Sequence, residues 1–458
     1  MTHTEPPADG LLSPEPDRGN AEAGRGFAEA NPGYAKPDRG NANPVYAEAN
    51  RSYVIYAPTP WDSPRQPAHN LADALALDHR VLYVDPPLSP LSPFRYGLRA
   101  NTWARLRAVT KRGVRRAGRL RVFSPLVLPP IEHKRMRALS TPLLRAQIRL
   151  AVQWSLKDDA PVVLGWRGLE ELAGAAEECL RVGVLMDHPA AGASLLGRDP
   201  DQLEREATAI CRSADLICTT SRPMQELLAE RGWESEFVPF GFPKDLIGAF
   251  EESEQPPEYS ALPRPLLGYT GGVDDRLDYE LIVELADKFS HGSLAFVGPV
   301  SPRLSQAARA ALASRANIHL LGARSRSRLP AYVRHLDVAL LPYEDSLWTR
   351  HQSPMKVWEY FYAGPPIVGV GSVELRSFPP PLVNYAERAD QVPSLVERAL
   401  ADPTAGRAER RSFALANTWE DRAAQIDALV ERLTVARSAK TTSNHGTAKH
   451  MRTGALTQ

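Results

Sequence analysis

Cysteine is scarce in this chain. Cys179, Cys211 and Cys218 are the three among 458 residues, and their irregular spacing suits neither a disulfide framework nor a zinc site. Three buried thiols in a reducing cytoplasm are the expectation. An excess of one charge is missing too: 55 Lys and Arg face 54 Asp and Glu, a net charge of +1, so no global attraction to nucleic acid is implied. No apolar run approaches the roughly 20 residues that span a bilayer. The first residues are acidic and proline-rich, without the basic and apolar regions of a secretory signal. A cytoplasmic protein, soluble or peripheral on the inner face of the cell membrane, is therefore expected.

What the chain does have is length for two ordinary domains. Residues 1–50 repeat D-R-G-N-A (Asp17 to Ala21, Asp38 to Ala42) and F/Y-A-E-A-N (Phe27 to Asn31, Tyr46 to Asn50). So polar a stretch buries too little apolar surface to order itself, and it reads as a disordered tail or a mis-assigned start. Ordered sequence begins near Tyr53. Short apolar runs then alternate with helical segments: Y-V-I-Y, R-V-L-Y-V-D, P-V-V-L-G-W, R-V-G-V-L-M-D-H and A-D-L-I-C-T-T-S. That alternation predicts a parallel sheet flanked by helices, with ligands bound beyond the carboxyl ends of the strands.

An acidic, proline-rich stretch interrupts the pattern, and residues 251–264 are assigned as linker between a first domain, 51–250, and a second, 265–417. The second alternation is L-L-G-Y-T-G-G, L-A-F-V-G-P, N-I-H-L-L-G, D-V-A-L-L-P and P-I-V-G-V. Residues 418–436 form a closing helix with Ala423, Ile426, Leu429, Val430 and Leu433 near helical spacing, and 437–458 read as a second disordered tail. The fold class expected is α/β, two Rossmann-like domains facing a cleft, over a single large α/β enzyme without one.

The densest chemistry lies in P-M-K-V-W-E-Y-F-Y-A-G-P-P-I-V-G-V-G, Pro354 to Gly371. Lys356 and Glu359 are three apart, so a helix puts cation and carboxylate on one face near its start. Pro354 suits the first turn, Ala363-Gly364 a helix end, and Pro365-Pro366 forbids continuation.

This stretch resembles the donor-binding motif of the retaining GT-B glycosyltransferases of group 1, or family four, P-x-K-x-x-E-Y-x-A-x-G-x-P-x-V. It looks closest to the branch containing teichuronic-acid and capsule glycosyltransferases. The resemblance implies a GT-B fold and transfer of a sugar, with retention, from a nucleoside-diphosphate sugar. Glu359 would accept hydrogen bonds from the ribose and Lys356 would face the diphosphate. The family's other glutamate stands eight positions earlier, where this chain has His351. His351, with Gln352 and Ser353, sits at the helix entrance and touches the donor sugar, or His351 is a solvated or structural residue.

Around that motif, other candidates take their places. Gly271 and Gly272 end the first strand of the second domain, where glycine lets backbone N–H groups approach a phosphate. Arg276 either grips the diphosphate or pairs with Asp274, Asp275 or Asp278. The loop Gly322 to Ser325 is the candidate base contact. On the acceptor side, T-P-W-D-S-P-R-Q resembles the W-x-x-x-R-x-Q pattern of the same branch: Trp61 offers a flat face to a sugar and Arg65 a cation to an anionic group, or Trp61 simply packs. Asp187 and His188 end a strand on the cleft side and are the catalytic candidates, Asp187 being equally suited to cap a helix.

No metal site is expected, because no D-x-D ends a strand in the cleft and Asp274-Asp275 are adjacent carboxylates. No cofactor is expected either, beyond the nucleotide-sugar donor. The partners implied are that donor and a glycan, lipid-linked or small-molecule acceptor, with no nucleic acid. Between Arg95 and Arg121 ten Lys or Arg and no acid are interleaved with Leu98, Trp103, Leu106, Val109 and Val114. Such a segment lies on an anionic membrane, binds an anionic acceptor, or is a solvated face. Two other functions fit the sequence: an inert nucleotide-sugar-binding paralogue, suggested by the missing glutamate, and a nucleotide-sugar epimerase, which needs no acceptor.

Overall fold

A computed structural model describes residues 51–88, 114–127, 134–156, 160–193 and 197–453. The expected tail at 1–50 and most of the basic segment, 95–113, lie outside the described residues. Each apolar run named above is a strand. The first half holds β1 (Ser52–Tyr56), β2 (Arg80–Val84), β3 (Val114–Ala117), β4 (Leu120–Phe123), β5 (Val162–Gly165), β6 (Leu180–Leu185), β7 (Leu216–Thr219) and β8 (Glu236–Phe237). They form one sheet in the order β3-β4-β2-β1-β5-β6-β7-β8. Every neighbour pair is parallel except β3 and β4, a hairpin whose turn uses Gly118 at φ +62°. The five residues of β1 are all buried, as strands covered on both faces require.

In the second half, β9 (Leu266–Thr270), β10 (Ser293–Val297), β11 (Ile318–Leu320), β12 (Val338–Pro342), β13 (Ile367–Val370) and β14 (Asn384–Tyr385) pair in the order β11-β10-β9-β12-β13-β14. All these pairs are parallel. Chain order therefore reverses between β9 and β12, and a doubly wound sheet opens its ligand crevice at the carboxyl ends of such a strand pair.

Between the halves the chain crosses at Gly241–Pro243, earlier than the expected linker. Phe242 N–H donates to the Asn417 carbonyl at 2.8 Å and the Trp419 N–H returns to Phe242 at 3.2 Å. A Cβ at Gly241 would lie 2.5 Å from the Thr418 carbonyl carbon, so outgoing and returning chains touch backbone to backbone. Phe242 then stacks on Tyr362 with centroids 4.5 Å apart. The helices Ile247–Glu251 and Pro257–Ser260 already belong to the second half, Tyr259 packing on Tyr332 at 5.3 Å. Composition at 251–264 thus marked the surface of a domain and not the crossing itself.

The closing helix, Trp419–Thr453, lies against the helix Pro67–Asp78 of the first half. Ala423, Ile426, Leu429 and Val430 are buried, and Asp427 accepts from Arg51 at 2.9 Å. Helix continues past 436, where the second tail was expected to begin, and 454–458 lie outside the described residues. An established helix propagates at little cost even where its apolar spacing has ended.

Candidate active site

At the point of strand reversal, the ends of β9 and β12 supply Gly271 and Tyr343, and the helix Lys356–Ala363 points its first turn at them. That helix ends on Gly364 at φ +92°, a left-handed cap that glycine adopts without strain. Lys356 Nζ donates to the Tyr343 hydroxyl at 2.7 Å and to the Tyr269 hydroxyl at 3.2 Å. It also lies 4.6 Å from the Tyr269 ring centroid, within cation–π range. Tyr269 passes its own proton to the Gly272 carbonyl at 3.1 Å. Among the described residues the Tyr343 proton has no acceptor, and lysine has a third N–H to give. Two donors therefore sit side by side at the cleft. Gly271 fits because a Cβ there would lie 2.7 Å from Lys356 Cε, and its φ of +139° would strain any other residue. A Cβ at Gly298 would in turn strike the Gly271 carbonyl oxygen at 1.9 Å.

One turn further on, Glu359 shares the face with Lys356, and no described group hydrogen-bonds to its carboxylate. Burial pushes its pKa up to about 7, with Arg326 and Lys356 pulling it down and Asp245 pushing it up. These groups line a cleft of about 400 Å³, together with Ser353, Gln352, Ala323 and Arg324 of the second half and Gln66, Pro67, Met186, Asp187 and Phe240 of the first. Larger concavities of about 670 and 610 Å³ lie around Arg407 and Arg328, lined by the second half alone and by no strand end at the reversal point. The smaller cleft is the candidate site because the convergent donors and the unspent carboxylate are there.

Arg276 lines the cleft while bound to Asp274 through two hydrogen bonds of 2.8 and 2.7 Å, and its guanidinium lies 5.3 Å from the Trp348 ring. Burial works against its charge, but the Asp274 pair outweighs burial and raises its pKa. Asp275 and Asp278 take no part in this pair. Asp187 lines the cleft with its side chain exposed, amid densely packed neighbours. Desolvation by those neighbours raises its pKa, while Arg276 and Trp348 pull it down.

His188 turns elsewhere. It is buried, it does not line the cleft, and its ring meets that of His351 edge-on at 5.1 Å. Burial and then His351 lower its pKa, so it stays neutral near pH 7. His351 is tied through Nδ1 to the Leu347 carbonyl at 2.8 Å and is likewise outside the cleft lining. Trp61 packs on Tyr83 at 5.0 Å and on His69 at 5.4 Å, which is its packing alternative. Arg65 lies over Trp61 and pairs with Asp73, so neither lines the cleft, although the adjoining Gln66 and Pro67 do.

Sequence reading missed Tyr269 and Tyr343. The tyrosines occupy strand-end positions that pattern alone assigns to core, and they are indeed buried except for what their hydroxyls reach. Gln352 is buried with an unpartnered Nε2 at the cleft wall. Of the cysteines, Cys211 and Cys218 are buried as expected but Cys179 is exposed, since it lies in the turn before β6. Among the described residues no three His, Cys, Asp or Glu gather as a metal set, and no helix is long and apolar enough to cross a membrane.

No protein-family model matches the chain. A segment of 142 residues is 27% identical to a Bacillus subtilis (strain 168) protein, TuaH, whose name provisionally assigns it as a teichuronic acid biosynthesis glycosyltransferase; the segment spans 30% of this chain and 36% of that protein. Solved structures match far more of it. Sucrose-phosphate synthase from Thermosynechococcus elongatus superposes with a TM-score of 0.60 at 16% identity, over 84% of this chain and all (100%) of the other. Anabaena HepE in complex with UDP-glucose gives 0.55 at 13%, over 83% and 99%. The catalytic domain of starch synthase IV from Arabidopsis thaliana, bound to ADP and acarbose, gives 0.53 at 12%, over 84% and 99%. With two Rossmann-like halves facing one cleft, this chain has the GT-B fold.

Proposed function

We propose that the protein is a glycosyltransferase that moves a sugar from a nucleoside-diphosphate sugar to a hydroxyl-bearing acceptor, with retention of configuration and without a metal. The observation that carries the reading is the pairing, at one strand-reversal point, of two open donors on Lys356 and Tyr343 with the unspent acceptor Glu359 one helical turn away. A nucleotide sugar offers the complementary set: ribose hydroxyls that donate to Glu359 and a diphosphate that accepts from Lys356, Tyr343 and the Gly272 amide, the Gly271 N–H being spent on the Val297 carbonyl at 2.9 Å. Departure of the diphosphate is the costly part of the reaction, and donors aimed at the developing charge in a partly dry cleft lower that barrier. Asp187 stands across the cleft on the first half, placed to meet the acceptor hydroxyl. UDP-glucose and ADP in the structural neighbours support a nucleotide donor without choosing the base. The likeness to TuaH supports a cell-surface glycan as acceptor.

A thermal-shift screen against UDP, GDP, dTDP and ADP sugars, with magnesium and with a chelator, tests the donor site. Ligand at 100 times its dissociation constant stabilises a fold by about 2.7 kcal/mol. A shift with one nucleotide series, indifferent to magnesium and abolished in Glu359→Ala and Lys356→Ala, is expected. No shift with any sugar would overturn the donor assignment. Turnover without an acceptor would replace transfer by epimerisation.

A further inference from the structure

The helix Lys134–Leu156 is apolar on two sides. Its inner side, Leu144, Ile148, Ala151, Val152 and Leu156, enters the core of the first half. Its outer side exposes Leu143, Leu150 and Trp154, at 43%, 47% and 71%. Successive residues of a helix are turned by about 100°, so positions 143, 150 and 154 fall on one narrow stripe. Single exposed apolar side chains are ordinary, but an aligned stripe ending in an exposed tryptophan is not.

In sequence, the same part of the chain is basic. From Pro86 to Lys157 the sequence holds sixteen Lys or Arg against one acid, Glu132, in a chain whose net charge is +1. In the β3–β4 hairpin Arg119 donates to the Leu77 and Asp78 carbonyls at 3.1 and 2.8 Å, and Arg121 joins the hairpin to the end of the stripe by donating to the Trp154 carbonyl at 2.7 Å. Arg149 flanks the stripe, with Glu177 at 3.4 Å as its partner.

We propose that the stripe Leu143, Leu150 and Trp154, with Arg119 and Arg121 of the adjoining hairpin, is a docking surface for an anionic lipid bilayer. The apolar side chains enter the boundary between headgroups and acyl chains, tryptophan being suited to that depth, while the arginines meet lipid phosphates. The inference does not rest on the donor site and survives or fails separately from it.

The test is co-sedimentation of the full chain with vesicles of phosphatidylcholine alone or mixed with phosphatidylglycerol, at low and high salt. Binding is expected only to the mixed vesicles, weakening as salt rises. Leu150→Gln with Trp154→Gln, both exposed and so compatible with an unchanged melting temperature, should weaken it by about tenfold or more. Leu415→Gln, an exposed leucine of the second half, should leave it unchanged. Equal binding to neutral vesicles, no binding at low salt, or binding untouched by the double substitution would each overturn the proposal. Displacement of the protein from vesicles by an oligonucleotide that the double variant binds equally well would assign the basic field to nucleic acid instead.

Discussion

The proposed role of Glu359 predicts that nucleotide-sugar affinity depends on pH. Its carboxyl, ordinarily near 4.5, is pushed up to about 7 because burial disfavours the charge more than Arg326 and Lys356 favour it. In the proposed donor site ribose hydroxyls would donate to the ionised form, so binding is expected to select the deprotonated enzyme and affinity to rise with pH. Between about pH 7.5 and about pH 5.5 the ionised fraction falls roughly twentyfold, and the dissociation constant rises by the same factor, about 2 kcal/mol. A nucleoside-diphosphate sugar is the right ligand because it lacks the terminal phosphate whose own ionisation near 6 would mask the effect.

Stability of the ligand-free protein runs the other way. A raised folded-state pKa means that the stabilising contribution of the protonated group is complete below 4.5 and is lost as pH rises through about 7. The full shift corresponds to about 3 kcal/mol, and water in the cleft reduces it to roughly 1–2 kcal/mol. Glu359→Gln should therefore melt higher than wild type at pH 8 while binding the sugar nucleotide more weakly and with no pH slope. Calorimetric titration of both proteins across this range, with melting curves at each end, measures it. A wild-type affinity flat in pH, or a slope retained in Glu359→Gln, would refute the reasoning.

Three further outcomes follow from contacts already described. Gly271→Ala places a methyl 2.7 Å from Lys356 Cε at a backbone angle that alanine avoids, so nucleotide binding should fall at least about tenfold, with a stability loss of about 1–3 kcal/mol seen in urea unfolding. Tyr343→Phe keeps the ring but removes the hydroxyl, and a loss of about fivefold in affinity by titration is expected, against about tenfold to a hundredfold for Lys356→Ala, which removes a charged donor. Gly241→Ala forces a methyl onto the Thr418 backbone at 2.5 Å, where the outgoing and returning chains touch, and should lower the melting temperature by about 5 °C or more.

Much of this architecture was legible beforehand because parallel strands covered on both faces are written as short, continuous apolar runs. All ten runs named from the sequence are strands, and the helix at Lys356–Ala363 starts and stops where Pro354 and Gly364 indicated. The strands that escaped notice were β3 and β4, hidden in basic sequence at a sheet edge, and the two-residue β8 and β14, too short to show a pattern. The crossing at Gly241–Pro243 was hidden for a different reason. Its signal is contact with Thr418, distant in sequence, whereas the prolines and acids at 251–264 are a local signal for surface.

What the sequence determined by itself was the spacing along single elements: a lysine and a glutamate on one helical face, glycines at one strand end, and an apolar stripe along the closing helix. Such relations depend on the periods of helix and strand, which neighbouring residues set. Tertiary structure alone decided which elements converge. It brought Tyr343 after β12 beside Lys356, committed Arg276 to Asp274, set Asp187 in the cleft, and turned His188 and Trp61 to packing. Those choices rest on strand order and on shape between segments far apart in the chain, and no local period records them.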